Sequence, residues 1–327
     1  MKNRPIASLS LDLDNEWSYL KVHGEPSWKS FPSYLDVVVP RVLEFMKDRS
    51  LELTFFIVGQ DAAFERNHSA LASISAAGHE IGNHSFSHEP WLHLYRDEEI
   101  ENELSRTEEL LLEVTGRKPI GFRGPGFSVS EAVLRILKKR GYLYDASTFP
   151  TFLGPLARAY YFMTARLTEE EKKERKLLFG AFSEGFRPLK PYLWNLQAEE
   201  LLEIPVTTMP FLKIPVHASY LLYLACYSEA LARLYWKTVL KLCRLSGAGL
   251  SLLLHPLDFL GADDTESLSF FPAMQASSSV KLRRMDFILS EMMTHFEVVP
   301  MKHHAQWLLE QKGLKKVDPI FRIHRSD

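Results

Sequence analysis

Apolar positions repeat along the first 150 residues with two periods, one typical of buried strands and the other of amphipathic helices. Buried strands are predicted at Ile6–Leu13, 51–58, 79–82 and 120–124, with another that begins near Tyr144. Helices are predicted at 34–48, 69–77, 97–114 and 130–140. Gly116 follows the longest helix at its C′ position, and Ser130 caps the start of the next. Strands that alternate with helices at this spacing predict parallel pairing in an α/β fold.

The regular pattern stops between 151 and 200 and then resumes. The interruption contains the aromatic residues Tyr160, Tyr161 and Phe162, a charged run at 169–176, and a loop rich in Pro and Gly. After it come a predicted strand at 201–206, an apolar packed segment at 220–227, a helix at 228–246 and a strand that ends at His255. We therefore expect a single domain over 1–327 with an insertion at 151–200.

Composition and charge exclude several classes of protein. The 327 residues are 46% hydrophobic and 24% charged, which supplies enough apolar material for a full core. A formal net charge of −2 provides no basic field for a phosphate backbone, so no nucleic acid partner is expected. Cys226 and Cys243 form neither a disulfide framework nor a CxxC metal motif, which fits a reducing compartment.

The apolar segments do not fit export or membrane spanning. Asp12 and Asp14 interrupt the N-terminal apolar run, so this run cannot form the core of a signal peptide. No window reaches the roughly 18 uncharged apolar residues that a transmembrane helix needs. We expect a cytoplasmic protein, and association with a membrane surface is left open.

The segment HEIGNHSFSHEP contains a closely spaced pair of histidines. His84 and His88 are four residues apart, so both side chains can point to the same side of one turn. Such a pair can bind a divalent cation, although 12 histidines in the chain also allow a purely structural pair. The segment is therefore a candidate metal site.

The first strand ends in SLDLDNEW, which places two carboxylates on one face. Asp12 and Asp14 are two residues apart, and side chains at that spacing point to the same side of a strand. Their mutual repulsion favours a cation or a proton between them. The alternative is a strand that runs out into an acidic loop continued by Asn15 and Glu16.

Arg123 and His255 are polar residues at points where buried strands emerge. Arg123 lies in GFRGPGF, and His255 ends the apolar strand LSLLLHP. In parallel α/β proteins, functional sites are built at the carboxyl ends of the strands. Either residue alone is more often a structural hydrogen-bonding group than a catalytic one.

Taken in chain order, these segments match a known family. The chain resembles the NodB-homology polysaccharide deacetylases, carbohydrate esterase family 4, through SLDLDNE, TFFIVG, GHEIGNHSFSH, GFRGPGF, GYLYDAS and LLLHP. The resemblance is dense over 6–150, sparse at 201–206 and 250–256, and absent from 151–200. It implies an irregular (β/α)7-type barrel. We expect the insertion to fold over the carboxyl mouth of this barrel, where Tyr160, Tyr161, Phe162 and Trp194 would stack on sugars or shelter a lipid tail.

The resemblance implies a role for each candidate residue. The positions of the metal ligands are occupied by Asp14, His84 and His88, and those of the general base, its orienting partner and the general acid by Asp12, Arg123 and His255. A divalent ion, with zinc expected, would activate water and polarise the acetamide carbonyl. Asp12 would accept a proton from water, and His255 would protonate the departing amine. A backbone N–H of segment 126–127 would hold the oxyanion.

Several departures from the family pattern affect these expectations. Members usually carry an acidic residue and a tryptophan before the last strand, which tune the catalytic histidine, and Glu203 is the candidate here. Gly126 stands where many members have an aromatic residue, so Phe127 would supply that side of the substrate groove. The forms DLD and RGPGF resemble a branch that includes deacetylases of exopolysaccharides and surface glycans, and also relatives that act on ureides and cyclic imides.

The sequence therefore predicts a metal-dependent N-deacetylase of N-acetylated sugars in polysaccharide or cell-envelope glycan synthesis, with a free or lipid-linked glycan as its substrate. One alternative is a metal-using amidohydrolase of ureides or cyclic imides. Another is a carbohydrate-binding barrel without catalysis, which would predict the loss of a ligand or of the base. Elsewhere, His79 is predicted to be structural, and His303 and His304 are predicted to be exposed.

Overall fold

The strands predicted from the sequence form the centre of one sheet. The structure is a computed structural model that describes residues 4–156, 182–197 and 199–321. Within these residues the sheet has 10 strands: β1 Ile6–Leu13, β2 Thr54–Ile57, β3 Glu80–Asn83, β4 Gly121–Phe122, β5 Tyr144–Asp145, β6 Tyr192–Leu196, β7 Glu199–Glu203, β8 Leu250–Leu254, β9 Glu297–Val299 and β10 Lys315–Val317.

All four helices predicted in the first half of the chain are present, and two further helices, Glu16–His23 and Gly59–Ala62, were not predicted. The described α-helices are α1 Glu16–His23, α2 Leu35–Lys47, α3 Gly59–Ala62, α4 Glu65–Ala76, α5 Asp97–Thr115, α6 Glu131–Lys139, α7 Ala218–Tyr227, α8 Glu229–Ser246, α9 Ser278–His295 and α10 Met301–Glu310. Both predicted caps are confirmed. The Ser130 hydroxyl accepts a hydrogen bond from the Val133 N–H at 3.3 Å, and Gly116 adopts a left-handed conformation with φ 67°.

Seven strands of the sheet are mutually parallel, in the order β8, β1, β2, β3, β4, β5, β7. Strand β6 is antiparallel to β7, β10 lies beyond β6, and β9 pairs with the start of β1. The ladder does not continue from β7 to β8. There the Thr207 N–H donates to the Ser251 carbonyl at 3.1 Å, and the Ser251 N–H donates to Thr207 Oγ1 at 2.7 Å. The predicted α/β fold of the (β/α)7 barrel type is confirmed, with its sheet left open at this junction.

Strand β1 is buried on both faces, as central parallel strands usually are. Leu9 and Leu11 point outward into the main hydrophobic core, together with apolar residues of α2, α4, α8 and α9. Ser8, Ser10 and Asp12 alternate with them and face inward. The polar inner face of β1 therefore leads directly to the candidate carboxylates at its carboxyl end.

Helix α10 packs against the inner face of the sheet, an arrangement that the sequence did not predict. The Met301 N–H donates to Thr54 Oγ1 at 2.8 Å, and the Lys302 N–H donates to Glu80 Oε2 at 2.7 Å. These bonds satisfy N–H groups that a helix start leaves unpaired, and they place a carboxylate at the positive end of the helix. His304 is buried with its Nδ1 3.1 Å from Ser8 Oγ, so its predicted exposure is wrong.

Two other histidines lie as predicted. His303, the neighbour of His304, is exposed. His79 is buried, and its Nδ1 lies 3.2 Å from the Leu53 N–H, which fits a structural role.

The predicted insertion is described only in part. Tyr160, Tyr161, Phe162 and the run 169–176 lie outside the described residues, so their role stays a prediction. Strand β6 lies within the predicted insertion but belongs to the main sheet. Trp194 is fully buried in this strand and donates from Nε1 to Glu203 at 2.9 Å. Its predicted contact with sugars or a lipid tail is therefore wrong.

The apolar segment 220–227 forms most of α7 and packs on one side only. Leu221 and Leu222 are buried, whereas Tyr227 is 72% exposed. Among the described residues, no helix has both the length and the apolar character needed to cross a bilayer.

Burial makes the docking of α10 sensitive to acid. Burial lowers the pKa of His304 to about 4, whereas an unfolded histidine titrates near 6.5. As pH falls from about 6.5 to 4, the unfolded chain therefore gains a proton that the folded chain does not bind. This histidine should cost up to about 3 kcal/mol of stability by pH 4. Denaturant titrations at several pH values measure the free energy of unfolding. As pH falls from 6.5 to 4, this free energy should decrease less in His304→Asn than in the wild type. An equal decrease in the free energy of unfolding of the two proteins over this pH range would contradict the prediction.

Candidate active site

The residues predicted from the sequence lie at the carboxyl ends of neighbouring parallel strands. Asp12 and Asp14 lie at the end of β1, His84 and His88 follow β3, Arg123 follows β4, and His255 follows β8. His255 is one residue beyond the paired Leu254 and Leu11, so it is level with Asp12 on the adjacent strand. The fold thereby gathers the candidate groups at one end of the barrel.

Asp14, His84 and His88 form a compact group of possible metal ligands. Asp14 Oδ1 lies 2.9 Å from His88 Nε2 and 3.3 Å from His84 Nε2. One ligand atom from each residue lies within 4.8 Å of the others, and all three side chains are buried. Apart from these two imidazoles, Asp14 Oδ1 is buried without a hydrogen-bond partner. Two imidazoles and a carboxylate facing one point fit a divalent cation.

The electrostatics of this group favour a charged Asp14. Burial opposes its ionisation, but the charges and hydrogen bonds of His88 and His84 outweigh burial and hold the pKa of Asp14 well below its ordinary value. Burial also opposes a charge on His84, yet the negative charges of Asp12 and Asp14 raise the pKa of His84. The group thus holds a buried negative charge that positive charge must balance.

The tautomer of His84 is fixed by a backbone contact. His84 Nδ1 lies 2.6 Å from the carbonyl oxygen of Arg123, which can only accept a hydrogen bond. A proton therefore sits on Nδ1, and Nε2 is the nitrogen that faces Asp14 and would bind a metal. A second contact of this kind is the usual way in which proteins orient a metal-binding histidine.

Glu103 clamps the loop that carries the two histidines. Its Oε2 accepts the N–H groups of Phe86 and Ser87 at 2.9 and 2.8 Å, and its Oε1 accepts the Ser87 hydroxyl at 2.7 Å. The loop needs such support because Ser85 and His88 adopt left-handed conformations with φ 59° and 52°. Sequence reasoning missed Glu103. The available signal was an acidic residue on the buried face of the amphipathic helix α5.

Arg123 is fully buried and holds Asp12 in place. Its Nη1 donates to Asp12 Oδ1 at 2.7 Å and to Ser10 Oγ at 2.9 Å, and its Nε donates to the Ala146 carbonyl at 3.0 Å. The guanidinium lies 4.4 Å from the centroid of the Phe56 ring. These contacts fix the orientation of Asp12 and balance its charge.

His255 has different neighbours from those expected. Its Nδ1 lies 3.2 Å from Ser219 Oγ, and its backbone N–H donates to Asp258 Oδ2 at 2.8 Å. The Glu203 carboxylate instead accepts the Thr148 hydroxyl at 2.6 Å and Trp194 Nε1 at 2.9 Å. The tuning of His255 that sequence analysis considered for Glu203 therefore has no support in the described contacts.

The segment after Arg123 makes a tight turn that carries an aromatic residue. Gly126 and Phe127 adopt left-handed conformations with φ 57° and 63°. The Phe127 N–H donates to the Gly124 carbonyl at 2.9 Å, so this N–H is already paired within the segment. The Phe127 ring lies 4.8 Å from that of Phe149, which lies 6.3 Å from the ring of His217.

Comparisons with known proteins agree with the geometry. Residues 29–144 match the family model described as polysaccharide deacetylase. A peptidoglycan deacetylase from Helicobacter pylori is 33% identical over 112 residues, which are 34% of this chain and 37% of that protein. A peptidoglycan-N-acetylglucosamine deacetylase from Bacillus cereus is 31% identical over 104 residues, which are 32% of this chain and 37% of that protein.

The similarity to a solved structure extends over nearly the whole chain. A crystal structure from Mycobacterium smegmatis, assigned to the polysaccharide deacetylases, superposes with a TM-score of 0.65. The superposition covers 99% of this chain and 96% of that chain at 21% identity, which shows a shared fold. In contrast, the matches to the first two curated relatives span less than two fifths of their length.

The clamp by Glu103 should determine the order of the histidine loop. Glu103→Gln places an amide beside backbone donors, so we expect a loss of about 1–3 kcal/mol in the free energy of unfolding. We also expect metal affinity to fall by about 10- to 100-fold. Chemical denaturation and metal titration measure these effects, with the exposed Glu109→Gln on the same helix as the control. Equal behaviour of the two variants would rule out the clamp.

Proposed function

Because this chain belongs to the NodB-homology polysaccharide deacetylases, carbohydrate esterase family 4, we propose that it hydrolyses the acetamide group of an N-acetylated sugar to an amine and acetate. The observation that carries the proposal is the convergence of Asp14, His84 and His88 to within 4.8 Å, beside an aspartate held by a buried arginine. The site thus combines candidate metal ligands with a second carboxylate, that of Asp12, which is not one of the ligands and would act as a base.

The donor set favours zinc. Two imidazole nitrogens and one carboxylate oxygen are common ligands of catalytic zinc, and three protein ligands leave coordination positions for water and substrate. The cation would supply Lewis-acid activation of water and of the amide carbonyl. Asp14, His84 and His88 would hold it.

The remaining groups would perform the proton transfers. Asp12 would accept a proton from the attacking water, because Arg123 holds its carboxylate in place without blocking both oxygens. His255 would protonate the departing nitrogen, since an amine leaves poorly without a proton. The Gly126 N–H would donate to the oxyanion that develops on the amide oxygen.

The names of the relatives suggest the substrate class. The Helicobacter and Bacillus proteins are named for deacetylation of peptidoglycan, so we propose an N-acetylated glycan of the cell envelope as the substrate. The Phe127 and Phe149 rings would offer an apolar face to a sugar. A cytoplasmic location and a free or lipid-linked substrate belong to the same proposal and rest on the sequence.

Product analysis separates this function from the alternatives. Acetate release should be measured from a panel of N-acetylated saccharides and peptidoglycan fragments, beside ring opening of ureides and cyclic imides. The proposal expects acetate from at least one saccharide and no turnover of the second group. Hydrolysis confined to ureides or imides would replace it with the amidohydrolase alternative. Saccharide binding without turnover by the metal-loaded protein would favour the non-catalytic barrel.

The metal assignment predicts one divalent ion per chain. Elemental analysis of protein purified without chelator should find one equivalent, most of it zinc, and the double variant His84→Ala/His88→Ala should lose it, because only one carboxylate ligand remains. His303→Ala, which changes an exposed histidine, serves as the control. Full metal content in the double variant would mean that the site is assigned to the wrong residues.

The assignment of Asp12 predicts a separation of metal binding from turnover. Asp12→Asn should keep its metal while kcat falls by about 10²- to 10⁴-fold, because a general base contributes roughly that factor. Metal analysis and acetate release on the same preparation measure both quantities. Loss of the metal would make Asp12 a ligand, and a kcat near that of the wild type would remove it from the mechanism.

A further inference from the structure

His255 takes part in a half-buried group of hydrogen bonds that the sequence did not predict. Ser219, in the first turn of α7, places its Oγ 3.2 Å from His255 Nδ1. Burial raises the pKa of the Asp258 carboxyl, and the charge of His255 and the hydroxyl of Ser219 oppose this effect. Asp258 also accepts the backbone N–H of His255 at 2.8 Å. Asp258 therefore contacts His255 directly at the backbone, while Ser219 contacts the ring. The Asp258 carboxylate also lies close enough to act electrostatically on both Ser219 and the ring.

The carboxylate in this network has a buried counter-charge. Asp258 and Lys281 are each only 1% exposed. Lys281, on α9, donates from Nζ to the carbonyl of Leu257 at 2.8 Å, and its charge acts on Asp258. Lysine is rarely buried to this extent unless a partner compensates for it. Burial raises the pKa of Asp258, and the nearby charge of Lys281 acts in the opposite direction by favouring the ionised carboxylate.

The direction of the hydrogen bonds follows from the form of His255 that delivers a proton. In an imidazolium both ring nitrogens are donors, so Nδ1 must donate to Ser219 Oγ. The Ser219 hydroxyl then has its own proton available for Asp258. This arrangement leaves Nε2 as the nitrogen that faces outward from the network, and it stabilises the ring in one orientation.

We propose that Ser219 and Asp258, with Lys281 as counter-ion, position His255 for proton delivery to the leaving amine. This network would take the part that the family resemblance assigned to an acidic residue before the last strand. Glu203, the candidate for that part, is hydrogen-bonded to Thr148 and Trp194 instead. The inference rests on the proposed function, because it takes His255 as the general acid.

Other ionisable groups near the network do not replace Asp258. They are His217, Tyr19, Cys226, Asp263, Asp264 and, on the neighbouring strand, Asp12. Burial and the nearby charge of His255 hold the pKa of His217 well below its ordinary value, so this ring stays neutral. Burial and surrounding carboxylates raise the pKa of Tyr19 well above its ordinary value, so it stays neutral as well.

Kinetics of matched variants test the inference. Ser219→Ala and Asp258→Asn should each lower kcat by about 10- to 100-fold while KM and metal content stay unchanged. The alkaline limb of the kcat/KM profile should move to lower pH in Asp258→Asn, because the imidazolium loses a stabilising anion. Ser219→Thr should retain most activity, since the hydroxyl is kept. Glu203→Gln tests whether Glu203, the acidic residue that the family pattern suggests, also influences His255. Asp286→Asn, on the surface of α9, is the matched control.

A measurement that needs no turnover separates this inference from the proposed function. The titration of the His255 ring can be followed by NMR in the wild type, in Asp258→Asn and in Asp286→Asn. The inference expects a midpoint at lower pH in Asp258→Asn alone. An unchanged midpoint, or wild-type kcat in both Ser219→Ala and Asp258→Asn, overturns it. Absence of acetate release by the wild type, together with the shifted midpoint, would leave the network intact and refute the proposed function. If Asp258→Asn fails to fold, the same titration of Ser219→Ala decides the matter.

Discussion

The structure depends on the burial of two carboxylates at the end of one parallel strand. Asp12 and Asp14 are 5% and 8% exposed, and each needs positive charge close by, because an uncompensated buried ion is costly. Asp12 receives it from the fully buried Arg123. Asp14 receives it from two histidines and, in our proposal, from a cation that they bind together. Two neighbouring carboxylates are thereby given separate partners and separate roles.

Much of the surrounding structure holds these partners in place. Arg123 links the two groups, because its side chain bonds Asp12 while its carbonyl fixes the ring of His84. Glu103 supports the histidine loop from α5, and helix α10 fills the inner face of the sheet beneath the site. A rigid second layer of this kind is what keeps a metal site open to substrate without letting its ligands collapse onto one another.

The sequence predicted the parts of the fold that local patterns encode. The apolar run of β1, the cap at Ser130 and the terminator at Gly116 are all readable from a few neighbouring residues. The seven-stranded barrel followed from the family resemblance, as did the pairing of Asp12 with Arg123. Those two residues are separated by 111 positions and meet only because β1 and β4 end at the same edge of the sheet.

The features that were missed depend on contacts between distant segments. The burial of His304 requires α10 to dock on Ser8, 296 positions away, and nothing near His304 indicates this. The sequence suggested that Trp194 could bind a sugar, but strand β6 pairs with β7 and the Trp194 side chain is buried. The partners of His255 lie in α7 and in the turn after β8, whereas sequence reasoning considered only Glu203. Tertiary packing decides such burial and pairing, and periodicity in the sequence does not record it.

In our proposal, Asp14, His84 and His88 bind the metal while Asp12 stays outside its coordination shell. Anomalous diffraction from crystals of zinc-loaded protein, collected on both sides of the zinc absorption edge, tests this directly. We expect one strong anomalous peak per chain at about 2.0–2.2 Å from one oxygen of Asp14 and one nitrogen of each histidine, with Asp12 bonded to Arg123. A peak elsewhere, or one that includes Asp12 as a ligand, would contradict the proposal.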